Sequence, residues 1–585
     1  MTAATAGHGA AYPWLAHYDP GVPASLAPYP HRTLLDYVND GARERPQHPA
    51  FLFKGRPFTL AELERASDSF AAALASLGVQ RGDRVAAMLP NCPQYFIVEF
   101  AAWKLGGIFA PLNPIYTEDE LAGPLTTIDA NVVVTLSSFY ERLKKVQPHT
   151  PVKRVVTTNI KEWFPPYLKI LFTLFTEKKD GYRVSHRDGD IAMADLLARF
   201  DGKKSSEAPP APEDTAILLM SGGTSGTPKC VMGEHQALVM SGLQLQAWLG
   251  ESIVPWKSVY MMPLPLFHSY GACAVQSICF IGHNPISLIP NPRDLDDIVS
   301  SIAKVKPTAF AGVPTLYNGL LNHPRVKNGR VSFNSLKVCA SGAAPLMAET
   351  KKQFEEVTGA KILEGYGLTE SLIAACVNPV KGESKIGSVG MPVTDVFVRI
   401  VDADDPLKEV PLKTEGEMLL RGPQIMKGYW RHPKESSEMI FTDSEGVVWL
   451  RTGDLAYMDE EGYVFLVDRK KDLIKANGMQ VWPRELEEAI ATYPGVLEVG
   501  VRGFQDPAHG EIAVAFVVMK PGTTATEAEI RAFCKKHLAF YKVPAKVVFR
   551  TELPKSLVGK VLRRMLFLDD STATAGLKTR AASSP

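Results

Sequence analysis

Ser221-Gly-Gly-Thr-Ser-Gly-Thr-Pro-Lys-Cys230 follows directly on the apolar run Ala216-Ile-Leu-Leu-Met220. The apolar run reads as a buried strand, so the small residues form a loop leaving its end. Gly222, Gly223 and Gly226 let backbone N–H groups come close to a ligand, Thr224, Ser225 and Thr227 add hydroxyls, and Lys229 adds a positive charge. That chemistry suits phosphate. The usual phosphate loop ends in Gly-Lys-Ser/Thr, whereas here Thr227-Pro228-Lys229 follows Gly226. Taken alone, the stretch also fits a flexible surface turn, and both readings stay open.

A chain of 585 residues has room for more than one domain and a large core. With 64 basic and 63 acidic side chains, a net charge of +1 argues against nucleic acid as the main partner. Seven scattered cysteines without a C-x-x-C pair point to free thiols in a reducing compartment. The first thirty residues lack the basic start and apolar core of a signal peptide, and no window is apolar for long enough to span a bilayer. The expectation is a cytoplasmic protein.

Residues 1–30, rich in Ala, Gly and Pro, read as a loosely held arm, with ordered structure expected from about Thr33. Capping boxes at Thr59/Glu62 and Thr117/Glu120 open helices, and Leu60, Leu63, Phe70, Leu74 and Leu77 mark one helical face. Val85–Leu89, Val132–Leu136, Ser258–Met262, Thr308–Ala311, Leu336–Cys339 and Lys361–Leu363 read as buried strands. This alternation predicts an α/β fold with largely parallel sheets. Ligands of such sheets gather beyond the strands' carboxyl ends. The loops starting at Ser221, Pro263, Gly312, Ser341 and Glu364 are therefore candidates for one site. Between Lys161 and Lys179 apolar side chains leave only a narrow polar stripe. The segment is too short to cross a bilayer, and it suits either a membrane interface or packing on its own protein. Past about Lys470 the pattern changes to a second, smaller domain.

Further segments carry weight because they occur together and in order. Ser341-Gly-Ala-Ala-Pro345 and Glu364-Gly-Tyr-Gly-Leu-Thr-Glu-Ser371 place glycines beside groups that can stack on or hydrogen-bond a base. Arg451-Thr-Gly-Asp-Leu455 offers a carboxylate for a ribose diol. Asp468-Arg-Lys-Lys-Asp-Leu-Ile-Lys475 is dense in charge, and Pro554-Lys-Ser-Leu-Val-Gly-Lys560 ends in a lysine beside glycine. In this order, the sequence resembles the adenylate-forming superfamily of acyl-CoA synthetases, luciferases and carrier-loading adenylation domains, from about Thr33 to Arg564. Within it, Asn477-Gly-Met-Gln-Val-Trp-Pro-Arg-Glu-Leu-Glu487 and the apolar Trp163–Phe175 segment are most similar to bacterial long-chain fatty-acyl-CoA synthetases.

The resemblance implies a large N-terminal domain of mixed α/β sheets (31–468), a hinge (469–471), a small mobile α+β domain (472–570) and a flexible tail (571–585). It implies ATP, Mg²⁺ and CoA as reactants, with acyl-AMP made first and thioester second. A carrier-protein acceptor or a medium-chain or aryl acid remains the alternative, and a dimer is left open. By position, 221–229 would wrap the β- and γ-phosphates, and Thr224 and Glu370 would hold Mg²⁺. Tyr366 would stack on adenine opposite Gly342, Ala343 and Ala344, within the Glu364–Gly367 and Thr369 motif. Asp454 and Arg469 would take the ribose, Lys560 would bridge carboxylate and α-phosphate, and Lys471 would be the hinge. Lys475 and Gly478 would serve the thioester step, with Gly478 giving pantetheine close passage. His268 would stand between acyl tunnel and phosphate, with Phe267, Tyr270, Val313, Pro314 and Tyr317 lining the tunnel. Three departures stand out: Ser221-Gly222 replaces Thr-Ser, Cys230 replaces a glycine and so sets a thiol beside the loop, and Ala272 stands where some members carry a gating tryptophan.

Overall fold

The computed structural model describes residues 12–221, 229–476, 479–506, 510–556 and 559–568. They fold as two compact units, one of residues up to 397 with 420–450, the other of 398–419 with 451 onward. The architecture is the expected mixed α/β fold.

The first unit holds two large sheets. In the eight-stranded sheet, Thr215–Met220, Ile108–Pro111, Arg84–Met88, Val132–Leu136, Arg154–Thr158 and Ile191–Ala192 are neighbours running parallel. All five residues of Val132–Leu136 are buried, as a parallel sheet covered on both faces requires. Cys230–Glu234 and Gly428–Tyr429 close the other edge antiparallel. In the nine-stranded sheet the parallel strands include Tyr260–Met262, Ala309–Gly312, Val338–Ser341 and Lys361–Leu368. Both capping boxes form, with the Glu62 N–H donating to Thr59 Oγ1 at 3.1 Å and that of Glu120 to Thr117 Oγ1 at 3.3 Å.

Two expectations change here. The segment from Glu364 is a strand, because Lys361–Glu364 pairs in parallel with Val338–Ser341 and Gly365–Leu368 then pairs antiparallel with Ile373–Val377. The arm expected to run loosely to Pro30 is fastened from residue 12 onward. Trp14 is buried, and Asp19 accepts the N–H groups of Val380, Lys381 and Gly382 at 2.6–2.8 Å. Tyr29 donates to Asp395 at 2.6 Å.

Pro166–Phe175 is a helix with no buried residue. Tyr167, Ile170, Leu171, Leu174 and Phe175 are between 48% and 71% exposed, and their i, i+3, i+4, i+7, i+8 spacing puts them on one outward stripe. Phe172 makes aromatic contacts inward, on Phe164 and Tyr182. None of the described helices is long and apolar enough to cross a membrane.

In the region of the second unit, Phe397–Val401, Gly416–Arg421, Val448–Met458 and Val464–Arg469 form neighbouring strands of one sheet. A second sheet of Met479–Val481, Ile474–Ala476, Gly510–Met519, Val496–Asp506 and Lys546–Phe549 carries the helices Pro483–Ala491 and Glu527–His537. The expected tail, 571–585, lies outside the described residues.

Glu99 is fully buried in the first unit, and the Gln276 amide donates to both its oxygens at 2.9 Å. Burial pushes its pKa up to about 8, against the opposing pull of Gln276. The folded state therefore binds this proton more tightly than the unfolded chain does. The stability it contributes is complete below the ordinary glutamate range near 4.5 and is lost as pH rises through about 8. Thermal melts from about pH 6 to about pH 9 should show wild type losing ~2 °C or more beyond the loss in Glu99→Gln. Parallel curves would contradict this.

Candidate active site

The glycine-rich loop joins two antiparallel strands. Met220 stands opposite Cys230, and the Ser221 N–H donates to the Lys229 carbonyl at 2.8 Å, so both ends of the loop are tied together. Gly222, Gly223, Thr224, Ser225, Gly226 and Thr227 lie outside the described residues, as does the Gly222 departure. Strand alternation turns Cys230 inward, into the core with Leu218 and against the Met220 sulfur at 3.0 Å. Burial pushes its thiol up to about 12, so it is inert toward a ligand there.

Lys229 instead stands beside a residue that the sequence reading missed. Its Nζ lies 5.1 Å from the ring centroid of Tyr429, and the Tyr429 hydroxyl donates to Glu370 Oε1 at 2.8 Å. Burial, then the Glu370 carboxylate, hold that hydroxyl above the ordinary tyrosine range, which keeps it a donor. The Met426 N–H also donates to the Glu370 carbonyl at 2.9 Å. The pairing of Gly428 with Met232 and of Tyr429 with Val231 fixes the place of Gly428–Tyr429.

Glu370 belongs to the turn Thr369–Ser371 that ends the Lys361–Leu368 strand. Thr369 Oγ1 lies 3.5 Å from Ser269 Oγ. A methyl group on Gly342 would stand 3.2 Å from the Tyr270 ring and 3.7 Å from the Gly365 carbonyl, so the three segments around residues 268–270, 342 and 364–370 meet. Ala343 adopts φ 68°, a left-handed strain for a residue with a Cβ. Tyr366, half-buried, pairs with Cys376 across the strands; Gly367 is exposed beside it, and Ala344 half-buried.

The segment bearing His268 is pinned from below. Asn91 Nδ2 donates to the Met262 and Leu264 carbonyls at 3.0 and 2.8 Å, and Tyr95 to that of Leu266 at 2.8 Å. The Tyr270 N–H donates to His268 Nδ1 at 3.3 Å. A π-helix, Tyr270–Val275, follows, a form common beside functional sites; Ala272 is buried within it. Val313 and Pro314 are buried, while Phe267 is half-buried. Tyr317, expected in a tunnel wall, is fully buried, and its hydroxyl donates to the Ala340 carbonyl at 2.7 Å.

In the second unit the strands Val448–Met458 and Val464–Arg469 place Asp454 opposite Arg469, with Arg469 Nε 3.0 Å from Asp454 Oδ1. Two separate sequence motifs thus meet across one ladder. Lys560 shares their electrostatic neighbourhood. Its amine is pushed below the ordinary lysine range by loss of water first and by Arg469 next, with Asp454 pulling the other way. The residue as a whole is exposed, so only its amine end is crowded. The turn that presents it is tight: the Ser556 N–H donates to the Lys560 carbonyl at 2.8 Å, and Gly559 adopts φ 74°, which glycine tolerates best.

Three residues on, Arg563 holds Asp468 at 2.7 Å, Asp472 at 3.0 Å and Glu487 at 2.6 Å. The lysine turn, the Lys470–Asp472 turn and the Pro483–Ala491 helix are therefore tied by one guanidinium. Lys471 is exposed in the Lys470–Asp472 turn. Lys475 is exposed on a strand, its N–H donating to Glu511 Oε2 at 2.8 Å. Gly478 lies outside the described residues.

Among the described residues no cluster of three or more His, Cys, Asp and Glu could hold a metal ion. Glu370 offers a hard oxygen donor, which fits a small divalent cation that takes most of its other ligands from phosphates and water.

Residues 38–430 match the family model described as AMP-binding enzyme, and residues 485–560 that of the AMP-binding enzyme C-terminal domain. The long-chain-fatty-acid–CoA ligase of Bacillus subtilis is 37% identical over 572 residues, covering 97% of this chain and 99% of that protein. The enzyme of the same name from Escherichia coli O6:H1 is 37% identical over 559 residues, covering 94% and 97%. Among solved structures, ATP-bound MatB from Rhodopseudomonas palustris superposes with a TM-score of 0.77 at 29% identity, covering 91% of this chain and 97% of that one.

Proposed function

Because the chain belongs to the AMP-binding enzymes, we propose that it activates a long-chain fatty acid with ATP and passes the acyl group to coenzyme A. The observation that carries this most is the cross-strand pair of Asp454 and Arg469 with Lys560 in the same charged neighbourhood. The near-full-length likeness to long-chain-fatty-acid–CoA ligases supports the choice of acid and acceptor.

In the first step a carboxylate oxygen bonds to the α-phosphorus while the bond to the bridging oxygen of pyrophosphate breaks. The carboxylate is already nucleophilic, so alignment and charge stabilisation do the catalysis. Lys560 bridges the carboxylate and the α-phosphate, where negative charge spreads. Asp454 accepts from the ribose hydroxyls, with Arg469 fixing one of its oxygens and reaching ribose or phosphate. Tyr366 stacks on adenine against Gly342–Ala344, beside the Glu364–Gly367 and Thr369 segment. The 221–229 loop cradles the β- and γ-phosphates, and His268 borders the acyl channel. Glu370 and Thr224 would hold Mg²⁺, which would neutralise phosphate charge.

In the second step the CoA sulfur bonds to the acyl carbon and the bond to AMP breaks. A turn about Lys471 withdraws Lys560 and brings up Lys475 and Gly478, so one chain serves two chemistries in succession. The reaction is read as cytoplasmic, on the inner face of the membrane. The exposed stripe of Pro166–Phe175, with Lys178 and Lys179 exposed behind it, supports peripheral contact with anionic lipid.

AMP release should require ATP, Mg²⁺ and CoA, and should peak with long acids in a series from acetate to palmitate. Lys560→Ala should lower it roughly a hundredfold or more. Pyrophosphate exchange without thioester would move the protein to the carrier-loading class, and a peak at short or aryl acids would contradict the chain-length reading. On vesicles containing phosphatidylglycerol, the Leu171→Glu/Leu174→Glu double variant should bind about tenfold less than wild type. Equal cosedimentation of the two would remove the membrane assignment.

A further inference from the structure

We propose that Tyr429 is a positioning residue that keeps Lys229 and Glu370 apart and each available, the ring face seating the ammonium and the hydroxyl holding one carboxylate oxygen. The inference rests on the reading of Glu370 as the cation-holding carboxylate and of Lys229 as a phosphate ligand.

Lys229 and Glu370 carry opposite charges and touch the same aromatic side chain. Tyr429 is buried, and in such a setting a lysine and a glutamate attract strongly. A direct ion pair would cancel both and leave neither for phosphate or cation. Tyr429 instead offers each of them a partner of suitable polarity. The negative face of its ring lies 5.1 Å from Lys229 Nζ, a cation–π distance. Its hydroxyl donates to Glu370 Oε1 at 2.8 Å, leaving Oε2 as the carboxylate oxygen that Tyr429 does not hold. Outer hydrogen bonds of this kind orient a metal-binding carboxylate.

The backbone that carries the ring is held at three points. Tyr429 pairs with Val231, its N–H donates to Ser436 Oγ at 2.8 Å, and the Trp430 N–H donates to the Cys230 carbonyl at 2.8 Å. The strand that carries Tyr429 is therefore registered on the strand that comes after Lys229. A shift in one moves the other with it.

The two functions of the side chain can be separated. Tyr429→Phe keeps the ring and loses the hydroxyl; Tyr429→Leu loses both. Binding of α,β-methylene-ATP would be measured by calorimetry with Mn²⁺ and, separately, in EDTA. Tyr429→Phe should weaken binding about tenfold with Mn²⁺ and less than about twofold in EDTA, and the Mg²⁺ needed for half-maximal rate should rise while kcat at saturating Mg²⁺ stays close to wild type. Tyr429→Leu should weaken binding under both conditions. Should Tyr429→Phe fail to fold, Ser436→Ala, which frees the Tyr429 N–H, should move the Mn²⁺ value in the same direction.

Equal affinities in Tyr429→Phe and wild type would overturn the inference, as would an equal loss with and without Mn²⁺. Glu370→Ala separates this from failure of the underlying reading. If that variant loses Mn²⁺-dependent affinity while Tyr429→Phe does not, only the role of Tyr429 falls. If Glu370→Ala binds as wild type does, both fall.

Discussion

Antiparallel closure of Cys230–Glu234 on Thr215–Met220 is the constraint on which the rest of the first unit's site depends. It ties the two ends of the glycine-rich loop through one backbone hydrogen bond, Ser221 to Lys229. It also decides which way side chains face, since successive residues of a strand point to opposite sides. Cys230 goes into the core, and Lys229 meets the Tyr429 ring. The free edge of the same strand then pairs with Gly428–Tyr429, which carries Tyr429 to Glu370. Lys229, Glu370 and Tyr429, far apart in sequence, are thus brought together by one ladder and one hydrogen bond.

The second unit solves a different problem, that of keeping many charges close together without collapse. Arg451 makes two hydrogen bonds to the buried Glu417, at 3.1 and 2.6 Å, and Asp454 pairs with Arg469. Arg563 satisfies three carboxylates at once. Buried charges persist only when paired and hydrogen-bonded. The Asp468 carboxylate meets that condition with the Arg563 guanidinium and the Arg484 N–H, both at 2.7 Å. Lys560 lies at the edge of this network, where loss of water first and opposing neighbours next loosen its hold on its proton.

Much of this was legible from the residues. The capping boxes at Thr59 and Thr117, the buried run Val132–Leu136 and the α/β alternation all report local preferences that tertiary structure did not override. The parts that were not legible depend on partners far away in sequence. Trp14 and Asp19 look like members of an Ala- and Pro-rich arm until residues 380–382 supply three N–H donors. Glu364-Gly-Tyr-Gly reads as a loop because of its glycines, yet Ile373–Val377 gives it a ladder to join. That Cys230 joins the core depends on strand register. Tyr429 was missed because a two-residue strand leaves no periodicity to read. The motif residues Asp454 and Arg469 were recognisable singly, and their mutual distance was not.

Lys560 is proposed to serve adenylation and Lys475 thioester formation, two half-reactions on one chain. ATP–pyrophosphate exchange isolates the first, and transfer from pre-formed acyl-AMP to CoA isolates the second. Lys560→Ala should lose exchange and retain transfer, while Lys475→Ala should retain exchange and lose transfer. Loss of both half-reactions to a similar degree in either variant would contradict the division of labour.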